Sequence, residues 1–315
     1  CRRTCASRTA TSLLPLAVGP AMSASGGRLA VFSGEFSVLI ARLIAEQAAL
    51  QDSIAQAGEA LAARGMRVEG WEMLTAAPDV LELRVSGGNA GSLRAVLDSC
   101  FTPSDLLVAD HVPVIPQVFV SDMDSTMIAA ECIDELADFA GIKSQIAAIT
   151  ERAMQGELDF ESALRERVLL LRDLSEGAIA ECLATRIAMM PGAKVLVETL
   201  KAKGCRTVLV TGGFHQFADP VAEELGFERV VANRLEVGDG KLTGGLVGGI
   251  TDSGVKRAVL LEEAALLGAN TVTLATGDGA NDIPMLEAAT YGLAYASKPK
   301  ARAAADGWGD RGNLT

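Results

Sequence analysis

The stretch Val118-Phe-Val-Ser-Asp-Met-Asp-Ser-Thr126 decides the fold of this chain. Its apolar first part predicts a buried strand, which runs directly into Asp122 and Asp124. Carboxylates two residues apart in an extended segment point the same way, so this pair is costly unless a cation lies between or beside it. A hard divalent cation, which prefers oxygen ligands, meets that need. An Asp-x-Asp pair alone also occurs by chance and in turns, so further signals are required.

Two later apolar runs, residues 207–210 and 271–274, have the same strand-like character as residues 118–120. Helical patterns flank them, at residues 193–203 and 255–267. Strands that alternate with helices predict an α/β fold with a parallel sheet. In such sheets ligands bind at the carboxyl ends of the strands. We therefore expect the residues that follow the three runs to lie close together.

Those following residues carry suitable chemistry. Thr211 and Gly212, with another glycine after them, allow backbone N–H groups to approach an anion, although a tight strand-to-helix turn is the alternative. Lys256 lies at the start of a predicted helix, where its ammonium could reach a phosphate or a carboxylate. Asp278 and Asp282 belong to the stretch Gly-Asp-Gly-Ala-Asn-Asp, a dense group of oxygen ligands at the head of the next helix.

The domain organisation follows from prolines and from an unusually long helical stretch. Residues 131–190 are helical in pattern almost throughout, which is too long for an ordinary crossover and predicts a helical cap inserted beside the site. Pro113 and Pro116 mark a boundary, because proline removes a backbone donor and disfavours helix in the residue before it. We predict a core with its cap over residues 114–315.

The part before this boundary predicts a small α+β module over residues 29–113, preceded by a disordered or non-native leader at residues 1–28. Within the module, residues 29–32 and 81–85 are strand-like, and residues 38–64 carry a long helical pattern. No catalytic constellation occurs in it. The module could have a regulatory role, or a role in packing or dimerisation. Dimerisation would make the protein a homodimer.

Composition limits the partners and the compartment. The 28 Lys and Arg against 40 Asp and Glu give a net charge of −12, which repels nucleic acid and anionic lipid. No apolar run is long enough to span a bilayer. The six cysteines are scattered without metal-ligand spacing, which indicates a reduced, cytoplasmic compartment. The two histidines lack the neighbours typical of Ser-His-Asp or Cys-His catalysis.

The ordered set of signals, an aspartate pair, a Ser or Thr, a Lys and a terminal acidic pair, resembles the haloacid dehalogenase (HAD) superfamily. Asp124, the second aspartate of the first motif, is typical of its phosphatase branch. Residues 122–128, 131–135 and 277–285 are similar to phosphoserine phosphatases of that superfamily. The resemblance implies a Rossmann-like parallel sheet core with a helical cap. The N-terminal module weakly resembles the small, ACT-like regulatory domains that precede some amino-acid biosynthetic enzymes.

The resemblance also implies an activity and roles for individual residues. O-phospho-L-serine would be hydrolysed to L-serine and phosphate through an aspartyl-phosphate, in the last step of serine biosynthesis. Asp122 would be the nucleophile and Asp124 the acid and base, with Lys256 beside the phosphoryl group. Mg²⁺ would be held by Asp122, Asp278 and the backbone carbonyl of Asp124, with Asp282 close behind. The residues that would bind the substrate are Glu131, Phe160, Arg167, Thr211, Gly212 and Asn281.

Two alternatives remain open at this point. Another capped phosphatase, or a phosphotransferase of the same superfamily that passes phosphate to an alcohol such as homoserine, would share these motifs. A serine-sensing protein with an inactive core is the second alternative, and the intact set of Asp122, Asp124, Lys256 and Asp278 argues against it.

Overall fold

The chain divides into two units near the proline pair. The computed structural model describes residues 38–46, 50–155 and 157–314, so the predicted leader and the strand predicted at residues 29–32 lie outside the described residues. The first unit extends to Ile115 and includes residues from Gly309 onward, and the second is Pro116–Trp308. Residues 309–314 thus differ from the predicted assignment to the core. They lie with the first unit because the Asp105 carboxylate accepts the backbone N–H groups of Asp310 and Arg311, at 2.8 and 3.1 Å.

The first unit has a β-α-β-β-α-β order of elements, in which every strand pairing is antiparallel. The strands lie in the order β2-β3-β1-β4. The buried side chains of both helices are apolar, which is what an amphipathic helix covering a sheet requires. The elements are β1 (Val38–Ile44), α1 (Leu50–Ala62), β2 (Arg67–Leu74), β3 (Ala77–Ser86), α2 (Ala90–Phe101) and β4 (Asp105–Ala109).

The long helix predicted over residues 38–64 is wrong in its first part. Residues 38–44 form β1, which pairs with β3 on one side and β4 on the other and is buried on both faces. A continuous apolar run has the same pattern in a buried strand as in a buried helix, so periodicity could not separate them. The one charged residue in the run, Arg42, forms a buried ion pair of 3.0 Å with Glu82, its partner across the strands. The strand predicted at residues 81–85 is confirmed as part of β3.

The second unit contains a parallel sheet in the order β11-β10-β5-β6-β7, with β12 beside β11. The predicted α/β class and the strands predicted at residues 118–120, 207–210 and 271–274 are confirmed, the last with a shift of two residues. Its strands are β5 (Val118–Ser121), β6 (Arg206–Phe214), β7 (Arg229–Asn233), β8 (Leu235–Gly238), β9 (Lys241–Leu246), β10 (Thr273–Gly277), β11 (Tyr291–Tyr295) and β12 (Gly307–Gly309). Its helices are α3 (Cys132–Phe139), α4 (Lys143–Met154), α5 (Phe160–Leu169), α6 (Glu176–Arg186), α7 (Ala193–Ala202), α8 (His215–Leu225), α9 (Ser253–Leu267), α10 (Ile283–Ala288) and α11 (Pro299–Ala304).

Strand β5 occupies the middle of this sheet, between β10 and β6. Its Val118, Phe119 and Val120 are fully buried, which explains why the run is apolar on both faces. In the register, Ser121 is opposite Thr276 of β10 and Leu209 of β6. The three motifs that follow these strands are therefore brought to one edge of the sheet.

Among the described residues, five helices, α3 to α7, lie between β5 and β6 in the chain. The first four fall within residues 131–190, as the long helical pattern predicts. The β8–β9 hairpin, which turns at Asp239 and Gly240, packs against this helical insert. Leu242 of the hairpin accepts the N–H of Asp173 at 2.9 Å and donates to the carbonyl of Leu174 at 2.8 Å. Among the described residues, no helix combines the length and apolarity needed to cross a membrane.

Candidate active site

Three carboxylates converge at the carboxyl edge of the parallel sheet. Asp122 follows β5, Asp278 follows β10, and Asp282 closes the short 3-10 turn Ala280–Asp282 after it. One oxygen of each lies within 4.8 Å of the others, and all three side chains are buried. The backbone fixes two of them, because the Asp122 N–H donates to Thr276 O at 2.9 Å and the Gly279 N–H donates to Asp282 Oδ2 at 3.0 Å.

A buried lysine supports this cluster from behind. Lys256 of α9 is 1% exposed, and its Nζ lies 2.7 Å from Asp122 Oδ1 and 2.7 Å from Asp282 Oδ1. Burial opposes the charge on Lys256, but the two carboxylates outweigh it, so the pKa of the ammonium is raised. The lysine is thus a fixed cation that holds both carboxylates in place.

The cluster fits a divalent cation. Two ammonium groups, those of Lys256 and Lys298, lie against three neighbouring carboxylates, so the cluster keeps an excess of negative charge. Burial raises the pKa of Asp122 well above its ordinary value, against the pull of Lys256. A cation among these hard oxygen donors would offset that burial and keep Asp122 ionised.

Asp124 lies outside this carboxylate cluster and faces the first turn of α3. Its Oδ1 accepts the backbone N–H of Cys132 at 3.1 Å. Burial and the neighbouring charge of Glu131 raise the pKa of Asp124 to about 7. A β-carbon on Gly213 would lie 3.0 Å from Asp124 Oδ2, so this glycine leaves room for the carboxyl. Asp124 can therefore both donate and accept a proton near neutral pH.

The end of β6 forms a rigid edge of the site. Thr211 is 1% exposed, and its Oγ1 accepts the N–H of Gly213 at 2.9 Å. The Gly212 carbonyl accepts a hydrogen bond from Asn233 Nδ2 at 2.7 Å, and Asn233 Oδ1 in turn accepts the N–H of Thr251 at 2.8 Å. The side-chain amide of Asn233 thus fixes the peptide that presents the Thr-Gly pair.

The inserted helices supply the opposite wall of a cavity of about 440 Å³. Glu131, the residue before α3, accepts a hydrogen bond from Ser125 Oγ at 3.0 Å, and burial raises its pKa. Phe160 begins α5, after the cap residue Asp159, and is 40% exposed. Arg167, one residue type suited to binding carboxylates, lies half-buried on the same helix.

Most of the residues predicted from the sequence line this one cavity. They are Asp122, Asp124, Glu131, Phe160, Arg167, Thr211, Gly212, Asp278 and Asn281. The other two predicted residues, Lys256 and Asp282, lie behind the lining, where they contact each other and Asp122. Asp124 is predicted to bind the metal through its backbone carbonyl. Its side chain is instead hydrogen-bonded to the backbone N–H of Cys132.

Three residues at the site were not singled out in the sequence. Lys298 lines the cavity, and its Nζ is 3.0 Å from Asp278 Oδ2. It follows β11, which pairs with β10, so the rule that ligands gather at the ends of parallel strands would have indicated it. Ser125 and Asn233 act on Glu131 and Gly212 through single hydrogen bonds, for which the sequence carries no pattern.

Comparison with known proteins agrees with this geometry. The haloacid dehalogenase-like hydrolase family matches residues 119–287, more than half of the chain. This chain belongs to that family. The matched segment of the hydrolase begins in β5 and ends in α10, so it contains the motif-bearing strands and the helical insert.

Relatives and a solved structure place this hydrolase more narrowly. It is 46% identical over 187 residues to a phosphoserine phosphatase of Polaromonas sp., covering 58% of this chain and 79% of the relative. It is 47% identical over 186 residues to that of Streptococcus thermophilus, covering 59% and 86%. A solved phospho-aspartyl intermediate analogue of phosphoserine phosphatase superimposes with a TM-score of 0.58 at 37% identity, covering 63% of this chain and 95% of that one.

Proposed function

We propose that this chain is a magnesium-dependent phosphoserine phosphatase, which hydrolyses O-phospho-L-serine to L-serine and phosphate. The observation that carries the proposal is the pairing of Asp122, in a buried carboxylate cluster, with Asp124, whose pKa is about 7, in one cavity. A carboxylate nucleophile beside a carboxyl group that titrates near neutrality provides both functions that phosphoryl transfer through a covalent intermediate needs.

The walls of the cavity match the remaining groups of phosphoserine. Glu131 offers a negative charge for the ammonium of the substrate, and Arg167 offers a positive one for its carboxylate. Phe160 provides an apolar contact between them and the Thr-Gly edge: its Cζ lies 3.4 Å from the position of a β-carbon on Gly212. Relatives named phosphoserine phosphatase support this choice of substrate.

In the first half of the reaction, a carboxylate oxygen of Asp122 attacks phosphorus. The phosphorus–oxygen bond to serine breaks, its electron pair passes to the serine oxygen, and Asp124 donates the proton that oxygen takes up. In this proposal the Thr211 hydroxyl, the Gly212 N–H and Lys256 stabilise the charge of the phosphoryl oxygens. An aspartyl-phosphate on Asp122 results.

In the second half, water attacks the phosphorus of this aspartyl-phosphate. Asp124, now ionised, accepts the proton of that water, and the phosphorus–oxygen bond to Asp122 breaks to release phosphate. The raised pKa of Asp124 suits both steps, because a group that titrates near the working pH gives and takes protons with little loss. The solved phospho-aspartyl intermediate analogue of a phosphoserine phosphatase supports this intermediate.

Mg²⁺ is the cation we propose for the carboxylate cluster. Asp122 and Asp278 would hold it with the backbone carbonyl of Asp124, and Asp282 would support them. When bound, it would supply positive charge to the phosphoryl oxygens and keep the nucleophile ionised. Magnesium is the expected ion because hard oxygen donors and a phosphate substrate suit it.

The test is phosphate release from L-phosphoserine by the full chain, with and without Mg²⁺. Asp122→Asn should abolish release, whereas the matched control Asp239→Asn, in the exposed hairpin turn, should not. A panel of other phosphomonoesters should be turned over poorly. Release without selectivity would keep the phosphatase and remove the proposed roles of Glu131 and Arg167.

Two further outcomes separate the rival functions. Transfer of phosphate to added homoserine, in competition with water, would indicate a phosphotransferase. Absence of release from folded, magnesium-loaded protein, together with serine binding, would indicate the sensing alternative. A regulatory N-terminal module, a homodimer, and a cytoplasmic location remain predictions from the sequence.

A further inference from the structure

Lys298 is a second lysine at the carboxylate cluster, and the mechanism above does not use it. It is attached to Asp278 at two points: its backbone N–H donates to the Asp278 carbonyl at 2.8 Å, and its Nζ lies 3.0 Å from Asp278 Oδ2. The side chain of Lys298 is 66% exposed, whereas that of Lys256 is 1% exposed. The two lysines therefore approach the cluster from opposite sides, one from the cavity and one from the protein interior.

The position of the Lys298 ammonium conflicts with cation binding. Asp278 is one of the three carboxylates that fit a divalent cation, and a cation there would repel the ammonium 3.0 Å from the same carboxylate. The carboxylate of this ion pair is buried, but its ammonium is exposed on a long and flexible side chain. Once a cation supplies the positive charge at Asp278, Lys298 can therefore move away, while the buried Lys256 cannot.

The direction in which the ammonium can move is toward the cavity. Lys298 lines that cavity together with Arg167 and Asn281, and its charge also acts on Glu131 on the opposite wall. An entering phosphorylated amino acid brings a phosphate and a carboxylate into this space. Both are suitable partners for an ammonium that has lost its carboxylate.

We propose that a divalent cation displaces Lys298 from Asp278, and that the freed ammonium then binds the anionic substrate. Lys298 is thus a counter-charge for Asp278 before the cation binds and a substrate-binding residue afterwards. The first half of this proposal rests on the carboxylate cluster alone. The second half rests on the proposed function.

The first half is tested by titrating the full chain with MgCl₂ in a calorimeter, without substrate. Lys298→Met should bind Mg²⁺ about two- to fivefold more tightly than the wild-type chain, the range expected for loss of a competing ion pair whose ammonium is exposed to water. The control Lys300→Met replaces an exposed lysine two residues further along, in helix α11, and should leave the affinity unchanged. Lys298→Arg, which keeps the charge, should restore the weaker affinity. Equal or weaker Mg²⁺ binding by Lys298→Met would overturn the exchange.

The second half is tested by steady-state kinetics at saturating Mg²⁺. Lys298→Met should raise the KM for phosphoserine and leave kcat close to that of the Lys300→Met control. An unchanged KM would overturn the role in substrate binding. If the unchanged chain does not hydrolyse phosphoserine at all, the proposed function fails, while the magnesium titrations still decide whether Lys298 and the cation compete.

Discussion

Gly277, the last residue of β10, is the position where one methyl group should disable the site. A β-carbon there would lie 2.4 Å from Asp282 Cγ and 2.5 Å from its Oδ2, whereas ordinary contacts begin at 3.4 Å. The carboxyl would have to retreat by about 1 Å, yet it is fully buried and held by Lys256 at 2.7 Å. We expect Gly277→Ala to lower kcat/KM for phosphoserine by about a hundredfold, the cost typical of a 1 Å misplacement.

Magnesium binding should weaken in the same variant, by about 10- to 100-fold, because Asp282 supports the ligands. Turnover and calorimetric titration of Gly277→Ala should be compared with Gly177→Ala, a helix position in α6 where the added β-carbon has its nearest neighbour at 3.9 Å. Circular dichroism shows whether each variant is folded, and Asp282→Asn provides a version without added bulk. Normal metal affinity and turnover in folded Gly277→Ala would refute the argument that Asp282 must stay where it is.

Three other predictions concern the charges of the site. The value of kcat/KM should fall as the pH rises through about 7, because the pKa of Asp124 lies there and its protonated form is the acid of the first half-reaction. Glu131→Gln removes a charge that raises the pKa of Asp124, so the pH profile of this variant should show the fall at lower pH. A profile that does not shift would contradict this prediction. Arg167→Met should raise KM much more than Arg165→Met, its exposed neighbour on α5, and equal KM values would remove Arg167 from the pocket. Lys256→Met leaves two buried carboxylates without their ammonium, so the free energy of unfolding should fall by about 3 kcal/mol or more. Mg²⁺ should raise the melting temperature of this variant more than that of the wild-type chain. An unaltered melting temperature would contradict the supporting role of Lys256.

The site could be predicted from the sequence where polar or charged residues follow a strand. Asp122, Thr211 and Asp278 each follow a buried apolar run, and the carboxyl ends of parallel strands meet at one edge of a sheet. The sequence therefore predicts that these three residues lie close together. Glu131 and Arg167 were predicted only from the resemblance to a known family, because they lie in the helical insert and follow no strand.

The features that could not be predicted from the sequence depend on how deeply a residue is buried and on contacts between individual side chains. Residues 38–44 are apolar on both faces, so their burial as β1 hid the strand period. Lys256 and Lys298 look alike in the sequence, yet the first is enclosed between two carboxylates and the second is open to solvent. Only the packing around them distinguishes a lysine that is fixed in the interior from one that is free to move.

The central place of β10 in the sheet has a consequence for the order in which the molecule is made. During translation β5 and Asp122 emerge early in the second unit, but the strand that pairs with β5 and carries Asp278 is separated from it by the whole helical insert and by β6 to β9. A nascent chain that ends before β10 contains only Asp122 of the carboxylate cluster and has an open flank on β5. The site is thus assembled only by a late, long-range pairing, and hydrolysis cannot begin on a partly synthesised core.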